Sequence, residues 1–463
     1  MFNSNVYIER RNKLKETIKT GVILLPGNNL SPMNYAANTY KFRQDSSFLY
    51  YFGLDYEGLF GIIDIDNDEE ILFGNDLTLD DLVWTGAEPT LTEKAEFCGI
   101  NKTMYFDKLY KHISSLFKRG ALFHYLPQYR SENLLLISEL LTLNYPKVNE
   151  HASKELIRAV INQRSIKDDL EVTEIIKALD ISYDMNLYAM QNTKPGVKER
   201  DVFSYIEAIT YAKGNGPSFA AIFSVHGDKL HNPHHENIMQ SGQLALLDSG
   251  AESLMHYASD ITRTFPVNGK YTEFQKGIYN AVLNANLNAI ANIKPGIPYR
   301  DVHKIAAKTI VNHLKDMNLM KGDAEEAVNE GAHALFFPHG LGHMLGLDVH
   351  DMEALGESLV GYNEEIKRSE QFGLKYLRLG RPLEPGFVLT VEPGLYFIPQ
   401  LIKTWKEQNK FVDFINYDEA EKHFDFGGVR IEDNILVTDT GAKVLGKPIP
   451  KTVDEIENIM QNN

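Results

Sequence analysis

The sequence predicts two domains, an α/β domain over residues 1–164 and an α+β domain over residues 165–463 built from a pseudo-twofold αα-ββ repeat. Three observations predict this arrangement. Short apolar runs alternate with helical patterns over the first third of the chain, a motif recurs 100 residues apart in the remainder, and four acidic residues there lie in or beside strand-like segments.

Taken in order, Val22-Ile23-Leu24-Leu25, Gly61 to Ile65 and Ile71-Leu72-Phe73 are short apolar runs set among helical stretches, and Leu134 to Leu143 follows. Strands interleaved with helices give a compact α/β domain. Phe48, Tyr50, Tyr51, Phe52 and Tyr56 are expected mostly in its core, and Trp84 is a candidate cleft or interface residue. Charges between Arg164 and Asp169 lead into the amphipathic run Leu170 to Met190, with no Gly or Pro linker, so a helical, packed hinge is expected near Arg164. In the second domain Lys194-Pro195-Gly196-Val197-Lys198-Glu199-Arg200-Asp201-Val202 recurs as Lys294-Pro295-Gly296-Ile297-Pro298-Tyr299-Arg300-Asp301-Val302. Each Pro-Gly stops one helix and each Asp is placed to cap the next. Asp248 and Asp260 follow the first copy, Glu392 and Glu432 the second, so two halves each contribute a pair of carboxylates. Chance likeness of two helix caps is the bland alternative. The second half is longer by the histidine-rich stretch and by Tyr396 to Phe426, which makes the site asymmetric.

Bulk properties exclude several function classes. The formal charge of −16 argues against a nucleic-acid partner, whose phosphates need a cationic face. Neither a signal peptide nor the ~20-residue apolar span of a membrane helix is visible. One cysteine, Cys98, fits a reducing compartment, and a cytoplasmic location is expected.

The densest chemistry lies in Pro338-His339-Gly340-Leu341-Gly342-His343-Met344-Leu345-Gly346-Leu347-Asp348-Val349-His350-Asp351. A zinc-binding helix is the first rival, since His339 and His343 stand at i, i+4. That motif puts Glu after the first His, where this chain has Gly340, and three glycines argue against a helix. A loop of solvated or backbone-satisfied histidines is the bland alternative. Asp248, Asp260, Glu392 and Glu432 shift the balance, because with His343 they make an oxygen-rich set able to hold two divalent cations.

The segments Leu247-Asp248-Ser249-Gly250, Ser259-Asp260-Ile261-Thr262-Arg263, His339 to Asp351, Leu389-Thr390-Val391-Glu392-Pro393-Gly394 and Gly428-Val429-Arg430-Ile431-Glu432-Asp433, in that order, resemble the pita-bread metallopeptidases that include aminopeptidase P and prolidase. Phe42-Arg43-Gln44-Asp45-Ser46-Ser47-Phe48 is similar to the amino-terminal domain of those two enzymes, which methionine aminopeptidase lacks. One departure is Glu252 to Ser259, a residue longer than usual between the two aspartates, which a turn can absorb.

The resemblance implies a pita-bread catalytic domain and, residue by residue, Asp248 on one metal, His343 and Glu392 on the other, and Asp260 and Glu432 between them. Two ions, Mn first, with Co, Fe or Zn tolerated, would activate water and stabilise an oxyanion. Glu392 is the implied proton shuttle, His231 and His350 hold substrate and oxyanion, and His339 is a pocket residue. His234 and His235 lie close enough to His231 for an alignment slip. Arg430 can orient a ligand carboxylate or a substrate group, with a structural salt bridge as the alternative. Arg378 resembles the arginine with which prolidase takes a dipeptide's carboxylate. Proline-containing peptides are the implied partners, and a homo-oligomer, dimer or tetramer, is implied too. The expected activity is Xaa-Pro aminopeptidase, with Xaa-Pro dipeptidase as the alternative. A non-catalytic binding module of the same fold would be expected to lack ligands.

Overall fold

The computed structural model describes residues 1–462, which divide into two compact units: Met1–Arg164 with Ala354–Gly356, and Ser165–Glu353 with residues 357–462. The first unit carries a mixed five-stranded sheet in the order Lys102–Tyr105, Glu69–Gly74, Phe60–Asp64, Val22–Pro26, Phe123–Tyr125. Its two outer pairings are parallel and its two inner ones antiparallel. Strands Val22–Pro26 and Phe60–Asp64 are buried along their whole length, which is why they read as continuous rather than alternating apolar runs. Phe48, Tyr50, Tyr51 and Phe52 are all buried, on the helix Ser46–Phe52 capped by Asp45. Trp84 is 86% exposed, on a helix, Leu79–Thr85, that buries no residue.

The predicted helical continuity near Arg164 is corrected. Helix Lys154–Ser165 stops and a new helix, Asp169–Asn192, starts behind Asp168, whose carboxylate caps the Glu171 N–H. A cap needs a non-helical residue, so the chain breaks there.

The second unit repeats itself. Helices Asp169–Asn192 and Glu199–Lys213 precede the antiparallel sheet Ile261–Pro266, Leu244–Ser249, Ile222–Ser224. Helices Glu273–Asn292 and Tyr299–Asp316 precede the sheet Val388–Val391, Asp433–Val437, Ala442–Val444. The recurring motif makes the same connection twice. Gly196 and Gly296 both have positive φ, at 87° and 83°, and their N–H groups donate to Met239 and Leu383 carbonyls respectively. Its aspartates, however, do not cap: the helices begin at Glu199 and Tyr299 with no side-chain cap, and Asp201 and Asp301 sit inside the first turn. There they complement the positive helix end.

Direct hydrogen bonds join the halves. Asn434 donates Nδ2 to the Asp260 carbonyl at 2.6 Å and accepts the Asp260 N–H at 3.1 Å, while Glu432 N–H donates to the Thr262 carbonyl at 3.0 Å. The four acids therefore meet at the seam. Asp248 lies within its strand, Asp260 just before one, Glu392 just after one. Glu432 lies directly before a strand: the chain leaves Gly428–Arg430 and crosses over Ile431 and Glu432 to Asp433–Val437, in a different sheet. Between the aspartates the chain makes a turn in which Ser253 N–H donates to the Tyr257 carbonyl and His256 adopts φ 66°.

Candidate metal centre

The histidine stretch is not helical; it runs beside strand Val388–Val391. Leu345 N–H donates to Val388, Thr390 N–H to His343, and Glu392 N–H to Leu341. Gly342 permits this approach, since a Cβ there would stand 2.1 Å from the Thr390 carbonyl oxygen. The ladder sets His343 beside Glu392, with Nε2 3.7 Å from Oε1.

Across the seam Asp260 Oδ2 lies 3.4 Å from the same nitrogen, and Asp260, His343 and Glu432 each offer one ligand atom within 4.8 Å of the others. All three are buried. His343 Nδ1 faces the Met344 carbonyl at 3.0 Å, and since a carbonyl only accepts, the ring proton is on Nδ1 and Nε2 aims a lone pair at the carboxylates. Burial first of all brings this imidazole down to about 4, so it carries no second proton at neutral pH. A lone pair facing carboxylate oxygens is repulsive unless a proton or a metal cation stands between them.

The oxygens tell the same story. Asp248 Oδ1, Asp260 Oδ1 and Glu432 Oε1 are buried without a hydrogen-bond partner, although buried polar atoms are almost always satisfied. Burial, then repulsion from Asp248 and Glu392, pushes Asp260 well above the carboxylate range; burial and the repulsion of Asp260 do the same to Glu432. Burial takes Glu392 to about 8, with Asp248 adding and Arg430 opposing. Four acids share one buried cation, Arg430. Such a donor set fits divalent metal ions.

Around this cluster the remaining expected residues line one cavity of about 940 Å³, together with Asp248, Asp260, Glu392 and Glu432: His231, His339, His343, His350, Arg378 and Arg430. Among His231, His234 and His235, only His231 lines it; His235 is buried against the Phe203 ring, 3.7 Å between centroids. Arg430 donates Nη2 to Asp248 at 2.5 Å and Nη1 to the Tyr396 hydroxyl at 2.7 Å. That hydroxyl meets His339 Nε2 at 2.9 Å, and since His339 Nδ1 faces the Gly340 carbonyl, Tyr396 is the donor. Burial holds His339 at about 3, in its neutral form. His350 packs its ring 4.0 Å from that of His343 and places Nδ1 2.6 Å from Glu353 Oε2, while Arg378 pairs with both Glu353 and Glu357.

Sequence reasoning missed Tyr396 and Glu353. Tyr396 is named there only as the start of an insertion, and the one signal available for Glu353 was its place three residues after His350.

Known proteins resemble the chain throughout. The profile of metallopeptidase family M24 matches residues 173–439, and that of the aminopeptidase P N-terminal domain matches residues 7–123. The Xaa-Pro dipeptidase of Homo sapiens is 31% identical, over 96% of this chain and 89% of its own. A probable Xaa-Pro aminopeptidase of Sordaria macrospora is also 31% identical, over 96% and 92%. The solved Pseudomonas aeruginosa aminopeptidase PepP superposes with a TM-score of 0.82 at 26% identity, covering 100% of this chain and 98% of its own. Proline aminopeptidase P II of Yersinia pestis gives 0.83 at 27% identity, with 100% of both chains covered.

Proposed function

Because the chain belongs to metallopeptidase family M24, with an aminopeptidase P-type N-terminal domain ahead of a pita-bread catalytic domain, we propose that it is an Xaa-Pro aminopeptidase. It removes the first residue from peptides whose second residue is proline. The observation that carries the reading is the set of three orphaned carboxylate oxygens opening on a cavity of about 940 Å³ that holds all the expected site residues. Room of that size lies near the top of the range for small-molecule sites, and accommodates chain beyond the proline.

Asp248, Asp260, His343, Glu392 and Glu432 would hold two divalent ions, Mn by preference, over residues 165–463 as the catalytic domain and 1–164 as the N-terminal one. When bound, the ions supply an activated water and stabilise the oxyanion formed at the scissile carbonyl. The side chains do the rest. Glu392, ionised once it holds metal, would take a proton from the nucleophile and return it to the proline nitrogen. Arg430 fixes Asp248 and keeps one cation among the acids. His231 and His350 hold the substrate and the developing negative charge, and His339, neutral and locked by Tyr396, walls the pocket for the proline ring. An Xaa-Pro bond has no N–H, so strand-like recognition fails and such a pocket is needed.

Xaa-Pro dipeptidase is the second reading, favoured by the name of the human relative. Peptide length decides between them. The Mn-loaded enzyme releases the first residue from an Xaa-Pro-Yaa tripeptide and from longer Xaa-Pro peptides; cleavage of Xaa-Pro dipeptides alone contradicts the proposal. No helix among the described residues is long and apolar enough to cross a membrane. The lone cysteine, Cys98, is buried, and we place the enzyme in the cytoplasm as a homo-oligomer, to be tested by fractionation and light scattering.

A further inference from the structure

Arg378 stands on the wall of the cavity, three ring and guanidinium groups of which, His350, His343 and Arg378 itself, face the same space. A guanidinium there is the partner a dipeptide's terminal carboxylate would need. In this structure the place is taken. Glu353 sets Oε1 on Arg378 Nη1 and Oε2 on His350 Nδ1, the latter at 2.6 Å, so a single carboxylate bridges the arginine and the imidazole. Glu357 Oε2 lies 3.4 Å from the same Arg378 nitrogen, and its Oε1 lies 2.9 Å from Arg368 Nη2 as an ion pair. Two arginines thus face two glutamates, and the group is balanced before any substrate arrives.

Resting on the Xaa-Pro reading of the site, we infer that Glu353 is an internal stand-in for a substrate carboxylate, which closes Arg378 to dipeptides and turns the enzyme toward longer peptides. A carboxylate one residue past the cut meets an arginine already neutralised and a second anion beside it, and like charges sharing one guanidinium repel. A tripeptide presents an uncharged peptide carbonyl at that point. Its own carboxylate lies one residue further on, roughly 3.5 Å away along an extended chain. The hydrogen bond from His350, and after it the charge of Arg378, holds Glu353 below the usual carboxylate range against the opposing effect of burial. The stand-in is therefore ionised wherever the enzyme works. It also fixes the His350 proton on Nδ1, since an ionised carboxylate only accepts.

The test compares Mn-loaded wild type with Glu353→Gln on an Xaa-Pro dipeptide, its amide Xaa-Pro-NH2, and an Xaa-Pro-Yaa tripeptide. The same bond is cut in all three. The ratio of kcat/KM for the dipeptide acid over its amide therefore reads the carboxylate alone, and does not move with a general loss of folding or metal. In wild type the acid has no advantage over the amide. In Glu353→Gln the ratio rises about tenfold or more, as a charge-assisted contact to Arg378 forms, and it returns to the wild-type value when Arg378→Ala is added. A wild type that favours the acid, or a ratio unmoved in Glu353→Gln, overturns the inference while tripeptide cleavage leaves the Xaa-Pro reading standing. Should Glu353→Gln fail to fold, Glu353→Ala decides on the same ratio: a rise of about tenfold or more supports the stand-in, and an unmoved ratio overturns it. Failure of wild type to cut any of the three overturns the Xaa-Pro reading and the inference with it.

Discussion

Arg430 reaches Asp248 at 2.5 Å from strand Gly428–Arg430, in the half of the repeat opposite to the one that carries the aspartate. The same guanidinium is fixed by Tyr396 at 2.7 Å and by Thr262 at 3.2 Å, so a buried cation is pinned within a cluster of four carboxylates. In the absence of metal it supplies a buried positive charge that Asp248 faces.

Arg430→Ala therefore leaves the Asp248 carboxylate without its buried partner. Breaking a buried pair by removing one partner costs about 3–5 kcal/mol, and the metal-free variant is expected to melt lower than metal-free wild type, with added Mn recovering part of the loss. Thermal melts of both proteins with and without metal check this; equal melting of the two metal-free forms contradicts it.

Asp260→Asn removes one of the two charges proposed to lie between the ions, so metal content and peptidase activity are expected to fall together. Metal analysis on the same preparation used for kinetics is the check. Full activity in this variant would sink the two-metal reading.

His350→Ala separates binding of metal from turnover. His350 is not assigned as a ligand, so both ions are retained, while turnover of Xaa-Pro substrates drops by something like ~10²-fold, as for loss of a single oxyanion contact. Loss of metal in the variant would make His350 a ligand instead.

The acids also set a pH dependence. Burial, aided by Asp248, raises Glu392 to about 8 in the folded metal-free chain, and Asp260 and Glu432 are raised in the same direction. An unfolded glutamate titrates near ~4.3. Folding thus favours the protonated forms, and their contribution is complete at low pH and lost as pH climbs through the folded values. Metal-free protein is expected to lose stability from about pH 5 to about pH 9, while Mn-loaded protein does not follow it and releases protons as it takes up the ions. Melting curves across pH, with a pH-stat during loading, test both parts; a metal-free form that gains stability over that window contradicts the assignment.

Much of this site could be read before the structure, because burying a charge leaves a trace in sequence. Asp248 behind Leu244-Ala245-Leu246-Leu247 and Glu392 behind Val388-Leu389-Thr390-Val391 sit where apolar runs would otherwise exclude an acid. The repeat was legible too, since Gly196 and Gly296 answer the same backbone demand. Capping was misread at Asp201 and Asp301: the helices start two residues earlier, and an aspartate in a first turn looks like a cap in sequence. Tyr396 and Glu353 were invisible for another reason. Tyr396 gains its role from His339 and Arg430, 57 and 34 residues away in the chain, and Glu353 pairs with Arg378 across 25, so neither leaves a local pattern.

The most direct measurement is a metal titration of the chelator-stripped enzyme, following release of the first residue from an Xaa-Pro-Yaa tripeptide and from its Xaa-Ala-Yaa counterpart as Mn is returned. The account predicts no activity without metal, a rise to a plateau at two ions per chain, and cleavage of the proline peptide alone. Activity that survives stripping, or that does not distinguish proline from alanine, contradicts it.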